Sequence, residues 1–376
     1  MSLSAAGIIF SNLNNNNLSR LTGDRTVAAI PFACRYRLVD FCLSNFVNAN
    51  VSNINIVANY NYRSLMEHIG SGKDWDLARR SGGINIISPF LTTRTPGAHM
   101  FSTHLEALKN MSAYIREIRE EYIVLMDSDH VMNIDVLGLI REHADSGADI
   151  TVVTRTVDES FTTKTPKMFI GASISRVEDI ATGDSYSMRT PELSLNVFVM
   201  RTTFLRKILE EAEAHSLSSL TEMLISLRKS LDIRVHRHNG YVASVSSFLD
   251  YYSCSMQILT SSEARDSLFS KKGFPIYTRV HNSAPTLCKN GSFIENSMIA
   301  DECIIEGTVI NSVVFRGVRI AKGAVVKNSV LFRGTYVDEY SELDSIVTDK
   351  DVHVTRRTRL AGNYNMPFYI QKGRKV

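Results

Sequence analysis

Two aspartates separated by a single residue are the strongest candidates for chemistry in this sequence. Asp127 and Asp129 directly follow the apolar run of residues 122–126. Such a run predicts a buried strand, and open α/β sheets bind ligands at the carboxyl ends of their strands. Two carboxylates at that end could hold a cation such as Mg²⁺. The alternative is a polar turn in which both aspartates only cap the next helix.

The first part of the chain alternates predicted strands with helical patterns. Apolar runs at residues 5–10, 54–58, 122–126 and 149–153 predict four strands. Between the second and the fourth, a single helix is predicted by apolar residues that recur three or four apart: Leu105, Leu108, Met111, Ile115 and Ile118. Thr103 followed by Glu106 predicts a capping box at its start. This alternation predicts an α/β domain with a mostly parallel sheet and helices on both faces.

The chain changes character near residue 290, where short apolar doublets alternate with small and polar residues. Four near-copies begin at Asn296, Asn311, Asn328 and Asp344, at offsets of 15, 17 and 16 residues. A short fixed period of β-favouring residues predicts a β-solenoid rather than a β-sandwich, and three faces per coil suit a left-handed parallel β-helix. We therefore divide the chain into an α/β domain (1–264), a connecting arm (265–290) and a β-helix (291–376).

Composition excludes several classes of protein. A net charge of +3 over 376 residues gives no argument for nucleic acid or membrane as a partner. The sequence has no apolar run of about 18 residues and no evident signal peptide. Its five cysteines are an odd number without close pairs, which is typical of reduced thiols. These features predict a cytoplasmic protein.

Residues 32–45 (Phe-Ala-Cys-Arg-Tyr-Arg-Leu-Val-Asp-Phe-Cys-Leu-Ser-Asn) carry a family resemblance. They resemble the start of the ADP-glucose pyrophosphorylases (glucose-1-phosphate adenylyltransferases), which join ATP to glucose-1-phosphate. With the solenoid, the resemblance spans the chain from residue 6 to about residue 362. It implies a Rossmann-like nucleotidyltransferase domain followed by a left-handed β-helix.

The resemblance implies that parts of a catalytic site are retained. Asp129 matches the aspartate of a family Gly-Asp-His triplet that binds Mg²⁺, so a weakly bound Mg²⁺ is expected here. Arg25 matches a family arginine near the triphosphate, although a surface arginine is the alternative. Ser194 matches a serine near glucose. Asn59 stands where the family has a glutamine that reads the adenine edge, and asparagine keeps the amide donor and acceptor.

Other family positions have changed. The phosphate-binding loop Gly-Gly-x-Gly-x-Arg-Leu corresponds to residues 12–18, where Asn14 and Asn15 are remnants of the nucleotide site. Val27 replaces a catalytic lysine and cannot neutralise a phosphoryl group. The family's Gly-Thr-Ala-Asp becomes residues 103–106, Ser244 replaces the second metal aspartate, and the Glu-Lys-Pro sugar-phosphate motif is not recognisable around residues 176–179. Together these losses predict little or no turnover.

A set of arginines suggests a regulatory anion site. Arg35 aligns with a family lysine near the site for activating sugar phosphates, and Arg37 is close in sequence. Arg316 and Arg333 recur at similar solenoid turns, and the family's solenoid folds back toward the nucleotide domain. Guanidinium groups bind phosphate bidentately. The alternatives are separate solvated arginines and, for Arg37, an ion pair with Asp40 in the domain core.

The retained scaffold and the altered site together resemble the non-catalytic, GlgD-type subunits of this family. The resemblance implies a regulatory subunit that assembles with a catalytic GlgC-type subunit, as a heterotetramer, and responds to ATP and a phosphorylated sugar effector. One alternative is a free-standing nucleotidyltransferase for another sugar phosphate. A second is a β-helix acyltransferase, for which only His353 and His281 offer a histidine in or near the solenoid.

Overall fold

The computed structural model describes residues 3–11, 13, 16–79, 82–89, 100–157, 166–184, 191–214 and 219–376. Asn14 and Asn15, predicted as nucleotide-site remnants, lie outside these residues. The described chain forms an α/β domain followed by a solenoid of short strands.

A nine-stranded sheet forms the centre of the α/β domain, in the order β5-β4-β1-β6-β11-β8-β12-β10-β9. Seven strands run in one direction, and β10 and β11 run against them, so the predicted mostly parallel sheet is confirmed. The strands of this sheet are β1 (Ala5–Phe10), β4 (Asn53–Val57), β5 (Gly83–Ile87), β6 (Tyr122–Asp127), β8 (Ile150–Thr156), β9 (Lys167–Ser173), β10 (Arg176–Gly183), β11 (Glu192–Arg201) and β12 (Ile233–Arg237). Two short pairs lie beside it: β2 (Pro31–Phe32) with β3 (Tyr36–Arg37), and β7 (His130–Val131) with β13 (Ala243–Ser244).

Helices cover both faces of the sheet because side chains of a strand alternate between faces. In β1, Ile8 belongs to one apolar cluster and Ile9 to another, on the opposite side. The helices are α1 (Ser19–Thr22), α2 (Leu38–Asn48), α3 (Arg63–Ile69), α4 (His104–Asn110), α5 (Ser112–Glu117), α6 (Val136–Ser146), α7 (Thr202–Ala214), α8 (Leu220–Leu227), α9 (Phe248–Thr260) and α10 (Ser262–Phe269).

The four predicted strands are confirmed as β1, β4, β6 and β8, but the single predicted helix is wrong in detail. It is two short helices, α4 and α5, with Met111 between them and Ile118 beyond the second. The apolar stripe survives because Met111 and Ile115 remain fully buried. Thr103 caps α4 by accepting a hydrogen bond from the Glu106 backbone N–H at 3.1 Å. The Glu106 carboxylate accepts one from the backbone N–H of Ser102.

The solenoid is built from three five-stranded parallel sheets, which confirms the predicted β-helix. The first sheet contains β14 (Leu287–Cys288), β17 (Ile304–Ile305), β20 (Arg319–Ile320), β23 (Tyr336–Val337) and β26 (His353–Val354). The second contains β15 (Phe293–Glu295), β18 (Thr308–Ile310), β21 (Val325–Lys327), β24 (Glu342–Asp344) and β27 (Arg359–Ala361). The third contains β16 (Met298–Ile299), β19 (Val313–Val314), β22 (Val330–Leu331), β25 (Ile346–Thr348) and β28 (Phe368–Ile370).

The sequence repeat marks one corner of the β-helix. Asn296, Asn311 and Asn328 all have positive φ, which asparagine tolerates better than most residues. Their side-chain amides bond from coil to coil, with Nδ2 of Asn296 donating to Oδ1 of Asn311 at 2.8 Å. In the next coil the corner residue is Ser345, which also has positive φ, so the fourth copy of the repeat is displaced by one residue from the predicted Asp344. The Asp344 carboxylate still accepts from Asn328 at 3.0 Å. The repeat is therefore a ladder of stacked turns.

The third sheet of the solenoid packs on the α/β domain. Valines of three successive coils, Val313, Val330 and Val347, share one apolar cluster with Phe248 and Tyr251 of α9. The segment between α10 and β14 crosses between the two units and is tied to the α/β domain by side chains such as Thr278, which donates to Asp40 at 2.5 Å. The β-helix is thus fixed against the domain that carries the candidate site. Within the described ranges, no helix combines the length and apolar character needed to cross a membrane.

Candidate functional site

Asp127 and Asp129 lie where the sequence predicts them, at the carboxyl end of β6 beside the end of β1. Asp127 is the last residue of β6, and Asp129 lies in the turn between β6 and β7. Both are buried, at 4% and 5% exposure. A buried carboxylate needs a charged or hydrogen-bonding partner, so the partners decide what this site can do.

Both oxygens of Asp127 are bonded to protein side chains. His104 Nε2 lies 2.6 Å from Oδ1, and Asn196 donates from Nδ2 to Oδ2 at 2.9 Å. Burial by itself would lower the pKa of His104, but the charge and the hydrogen bond of Asp127 outweigh it, so the pKa is raised. Asp127 is therefore held by two internal partners, His104 and Asn196.

Asn196 reaches Asp127 because β11 is irregular at this point. The pairing of β11 with β8 shifts register between Ser194 and Val197, and Asn196 has a φ of 52°. Ser194, predicted near the sugar, is 2% exposed and accepts a hydrogen bond from the Asn196 backbone N–H at 3.1 Å. The sequence resemblance pointed to Ser194, but no sequence signal indicated that Asn196 would turn toward Asp127.

Asp129 is paired with its own neighbour in sequence. His130 Nδ1 lies 2.6 Å from Asp129 Oδ1. Burial alone would raise the pKa of Asp129, but the charge of His130 and its hydrogen bond hold that pKa well below its usual range. Oδ2 of Asp129 is buried and has no hydrogen-bond partner among the described residues.

Ser244 lies beside this second carboxylate. In the β7–β13 pair, Ser244 is opposite His130, and the backbone N–H of Val245 donates to the Asp129 carbonyl at 2.7 Å. The resemblance implies that Ser244 replaces a metal-binding aspartate, and that remains a prediction. Its Oγ is buried without a hydrogen-bond partner in the described structure, so a short hydroxyl stands where a carboxylate would reach farther.

Val27 closes the space around the carboxylates. The cavity that it lines with Phe10, Asp127 and Asp129 measures about 10 Å³, and Val27 is 3% exposed. A single water molecule needs roughly 10–15 Å³ of such space. The described residues therefore leave less space in this pocket than a hydrated cation or a phosphate group occupies.

The side chains present do not fit a Mg²⁺ ion. Mg²⁺ requires octahedral oxygen ligands at about 2.0–2.1 Å. Of the four carboxylate oxygens of Asp127 and Asp129, three are taken by His104, Asn196 and His130. Across the described part of the chain, no group of three His, Cys, Asp or Glu side chains is arranged to hold a metal ion.

A wider cleft of about 440 Å³ opens on the other side of His104. It is lined by Lys167 and Ser246, which share a hydrogen bond of 2.7 Å, and by Asn196, Thr103 and other polar residues. One ammonium among hydroxyl and amide groups suits a polar, anionic ligand. Lys167 was not among the predicted site residues, and its isolated position at the start of β9 gave no motif to find it by.

Asn59 does not present its amide to a ligand. Its Nδ2 donates to the Phe101 carbonyl and its Oδ1 accepts from the Phe101 backbone N–H, both at 2.9 Å. Asn59 is 3% exposed. The structure therefore assigns it the anchoring of the chain that leads into α4, rather than the predicted reading of adenine.

Arg25 lies between the two domains. Its guanidinium is fully buried and bonds to Asp349 of the β-helix at 2.6 Å and to Asp24 at 2.9 Å. It also lies over the Phe332 ring, 5.8 Å from the centroid. Burial opposes the charged form, but the carboxylate of Asp349 outweighs it and raises the pKa of Arg25. This arginine, predicted near the triphosphate, is committed to an ion pair across the domain interface.

The predicted pairing of Arg37 with Asp40 differs from what the structure shows. The Arg37 guanidinium donates to the carbonyl and the hydroxyl of Ser64. Asp40 instead holds His68 at 2.6 Å and caps α2 through the Arg37 backbone N–H at 3.0 Å. The reason is that Arg37 is the N-cap residue of α2, so its backbone, not its side chain, faces the Asp40 carboxylate.

Cations do converge beside the solenoid. Arg316 and Arg333 follow the third sheet on successive coils, and burial together with the charges of Arg333 and Arg279 lowers the pKa of Arg316. Burial and the charges of Arg316 and Arg279 likewise lower the pKa of His281 to about 4. Arg35 is exposed and lies over the ring of its neighbour Tyr36.

Arg37 belongs to the same electropositive region. Burial lowers its pKa to about 10, helped by Arg25 and Arg279 and opposed by Asp40. Lys350 of the β-helix has its pKa lowered to about 8 by burial and by Arg25 and Arg37. Sequence reasoning found Arg316 and Arg333 from the repeat, but Arg279 and Lys350 carry no repeat or motif.

This fold and this site define the class: a nucleotidyltransferase domain joined to a hexapeptide-type, left-handed β-helix. Residues 7–164 match the nucleotidyl transferase family, and residues 284–365 match the GlmU-like, C-terminal hexapeptide family. The chain is 30% identical to the glycogen biosynthesis protein GlgD of Bacillus subtilis (strain 168), covering 98% of this chain and 95% of that protein. It is 32% identical to GlgD of Geobacillus stearothermophilus, covering 98% and 96%.

A catalytic relative is also similar. The glucose-1-phosphate adenylyltransferase of Clostridium perfringens (strain 13 / Type A) is 27% identical over 88% of this chain and 84% of its own length. The chain belongs to the GlgD family of glycogen biosynthesis proteins, which confirms the resemblance found in the sequence.

Proposed function

We propose that this chain is a regulatory, catalytically weak or inactive subunit of a glucose-1-phosphate adenylyltransferase in glycogen biosynthesis. The observation that carries the proposal is the arrangement at the end of β6. Asp127 and Asp129 are bonded to His104 and His130, and Val27 closes a cavity of about 10 Å³ where a triphosphate and its cation would need space. The fold that positions a catalytic site is retained. The space beside Asp127 and Asp129, however, is occupied by Val27 and by the two histidines that bond to the carboxylates.

The proposed partner is a catalytic subunit of the GlgC type, with which this chain assembles as a heterotetramer. Similarity over nearly the full length to GlgD proteins, together with similarity to an adenylyltransferase, supports a partner of the same fold. In such an assembly, a subunit without turnover can change the activity of the catalytic subunit. A ligand that prefers one conformational state of the assembly shifts the conformational equilibrium of both subunits.

The isolated chain is expected to show almost no synthesis of ADP-glucose. Typical enzymes turn over at about 10 per second, and loss of the phosphate loop, a cation and a metal ligand should each cost roughly ten- to a thousand-fold. The measurement is pyrophosphate release from ATP and glucose-1-phosphate by the pure chain, by a catalytic subunit and by their mixture. A mixture that differs from the sum of its parts supports the subunit role.

Two results would contradict the proposal. The first is turnover by the pure chain within about tenfold of the typical rate. The second is turnover on a panel of other nucleoside triphosphates and sugar phosphates, which would favour a free-standing transferase. The cleft of about 440 Å³ beside Lys167 makes that second assay worthwhile.

We further propose that the electropositive region binds an anionic effector such as a phosphorylated sugar. Burial lowers the pKa values of Arg37, Arg316 and Lys350, and neighbouring positive charges lower them further. Arg279 acts on both Arg37 and Arg316, and Arg37 acts on Lys350. A phosphate group would relieve that repulsion and accept forked hydrogen bonds from guanidinium groups.

Replacing Arg35 or Arg333 by alanine is expected to shift the effector response of the assembled hetero-oligomer without changing assembly. Loss of one charge-assisted contact should raise the half-saturating effector concentration by about tenfold. Arg359→Ala is the matched control, since Arg359 is an exposed β-helix arginine paired with Glu342 in the second sheet. Identical activation curves for all variants at matched ionic strength would eliminate this region as the effector site.

A further inference from the structure

We propose that His104 takes the place of a metal ion: its imidazole occupies Oδ1 of Asp127 and blocks a latent divalent-cation site between Asp127 and Asp129, which opens when the imidazole is removed. The site lies within one chain, so its test requires neither a partner subunit nor an effector.

The imidazole of His104 is held in a fixed orientation. His104 begins α4 directly after the capping residue Thr103, so the helix start fixes its backbone. Its ring meets the Phe10 ring edge-on, with centroids 4.6 Å apart at 82°. Nε2 is then aimed at Asp127 Oδ1 at 2.6 Å, a distance typical of a charge-assisted hydrogen bond.

The imidazole of His104 lies between the large polar cleft and the carboxylate of Asp127. On one side His104 lines the cleft of about 440 Å³, to which it exposes 19% of its side chain. Asp127 lines the small pocket of about 10 Å³ but not the cleft. Because His104 lines the cleft and bonds to Asp127 Oδ1, removing the imidazole would let water and ions from the cleft reach that oxygen.

Several oxygen atoms near Asp127 could act as ligands for a cation. Removing the imidazole frees Oδ1 of Asp127. Oδ2 of Asp129 is already buried without a hydrogen-bond partner in the described structure, as are the hydroxyls of Ser128 and Ser244. Carboxylate and hydroxyl oxygens completed by water form the ligand set of a hard divalent cation.

Electrostatics gives the binding its driving force. His104 and His130 each face one of two neighbouring buried carboxylates. Without His104, the buried Asp127 carboxylate keeps one side-chain hydrogen bond among the described residues, the one from the amide of Asn196. A divalent cation would restore the balance, so the variant should be less stable without the ion and should recover stability with it.

The test uses His104→Ala with His236→Ala as the matched control. His236 also lies 2.6 Å from a carboxylate, that of Glu142, but it is remote from β6 and 26% exposed. Melting temperature is measured against MnCl₂ and MgCl₂, and Mn²⁺ binding is counted by electron paramagnetic resonance. We expect a saturable rise in Tm of about 3–5 °C and one bound Mn²⁺ for His104→Ala, and neither for the wild type nor the control.

A double variant locates the site. Adding Asp127→Asn to His104→Ala should abolish both the bound Mn²⁺ and the rise in Tm. A smaller polar variant, His104→Ser, should behave as His104→Ala does and guards against failure of one variant to fold. Folding of either variant only in the presence of Mn²⁺ would support the proposal.

Three results would overturn it. One is tight Mn²⁺ binding by the wild type that Asp127→Asn abolishes, because the site would then be open already. Another is a folded His104→Ala or His104→Ser that binds no Mn²⁺. The last is failure of both variants to fold with and without Mn²⁺, because His104 would then be needed for packing in a way that no cation replaces.

Discussion

Replacing Asp349 by alanine is expected to lower the free energy of unfolding by about 3–5 kcal/mol, since it leaves the Arg25 guanidinium buried without its main partner. Arg25 is fully buried, and Asp349, on the β-helix, is only 5% exposed in its side chain. Tyr369 also donates to Asp349, at 2.6 Å, so the substitution removes partners from two side chains at once. Urea unfolding followed by fluorescence and circular dichroism would measure the loss.

Asp24→Ala is the matched control. Asp24 contacts the same Arg25 nitrogen at 2.9 Å, but its side chain is 43% exposed. An exposed pair contributes less than about 1 kcal/mol, so this variant should unfold close to the wild type. Equal losses for the two variants would show that burial does not set the strength of this ion pair.

The second large effect is a gain of catalysis from a combined reversion. Glycines at positions 12, 13 and 15, with Val27→Lys, Ser244→Asp and His104→Thr, are expected to raise ADP-glucose synthesis about 10²–10³-fold above the unmodified chain. The physical reason is that these positions act as a unit: the loop would hold phosphates, the lysine would neutralise them, and the freed aspartates would hold Mg²⁺.

Val27→Lys alone is the informative control. Val27 is 3% exposed beside a cavity of about 10 Å³, so a lone lysine there meets carboxylates that are already bonded to His104 and His130. We expect this single variant to be less stable and no more active than the wild type. Substantial turnover from it alone would contradict joint erosion of the site.

Most of the fold could be predicted because its signals are local. The strands β1, β4, β6 and β8 are short apolar runs, and the solenoid is a fixed repeat whose asparagines sit at one corner. The helix from Leu105 to Ile118 was predicted as one because its apolar stripe is continuous. The break at Met111 leaves that stripe intact, so hydrophobic periodicity could not reveal it.

The candidate site was predicted less completely because its decisive contacts join distant residues. His104 and Asp127 are 23 residues apart, and Arg25 and Asp349 are 324 apart. Residue types alone do not say that a histidine will face one carboxylate or that a β-helix aspartate will take an arginine from the nucleotide domain. His104 did carry one signal, since it replaces the threonine of the family's Gly-Thr-Ala-Asp segment.

The valines of the third solenoid sheet that face the α/β domain bear on whether the two structural units can be expressed separately. Val313, Val330 and Val347 belong to the same buried cluster as Phe248, Tyr251 and Tyr252 of α9. A chain that stopped before residue 284 would leave that aromatic face in water, and a solenoid expressed alone would expose its valines. Each unit therefore depends on the other to cover this apolar face, and neither is expected to behave as a free module.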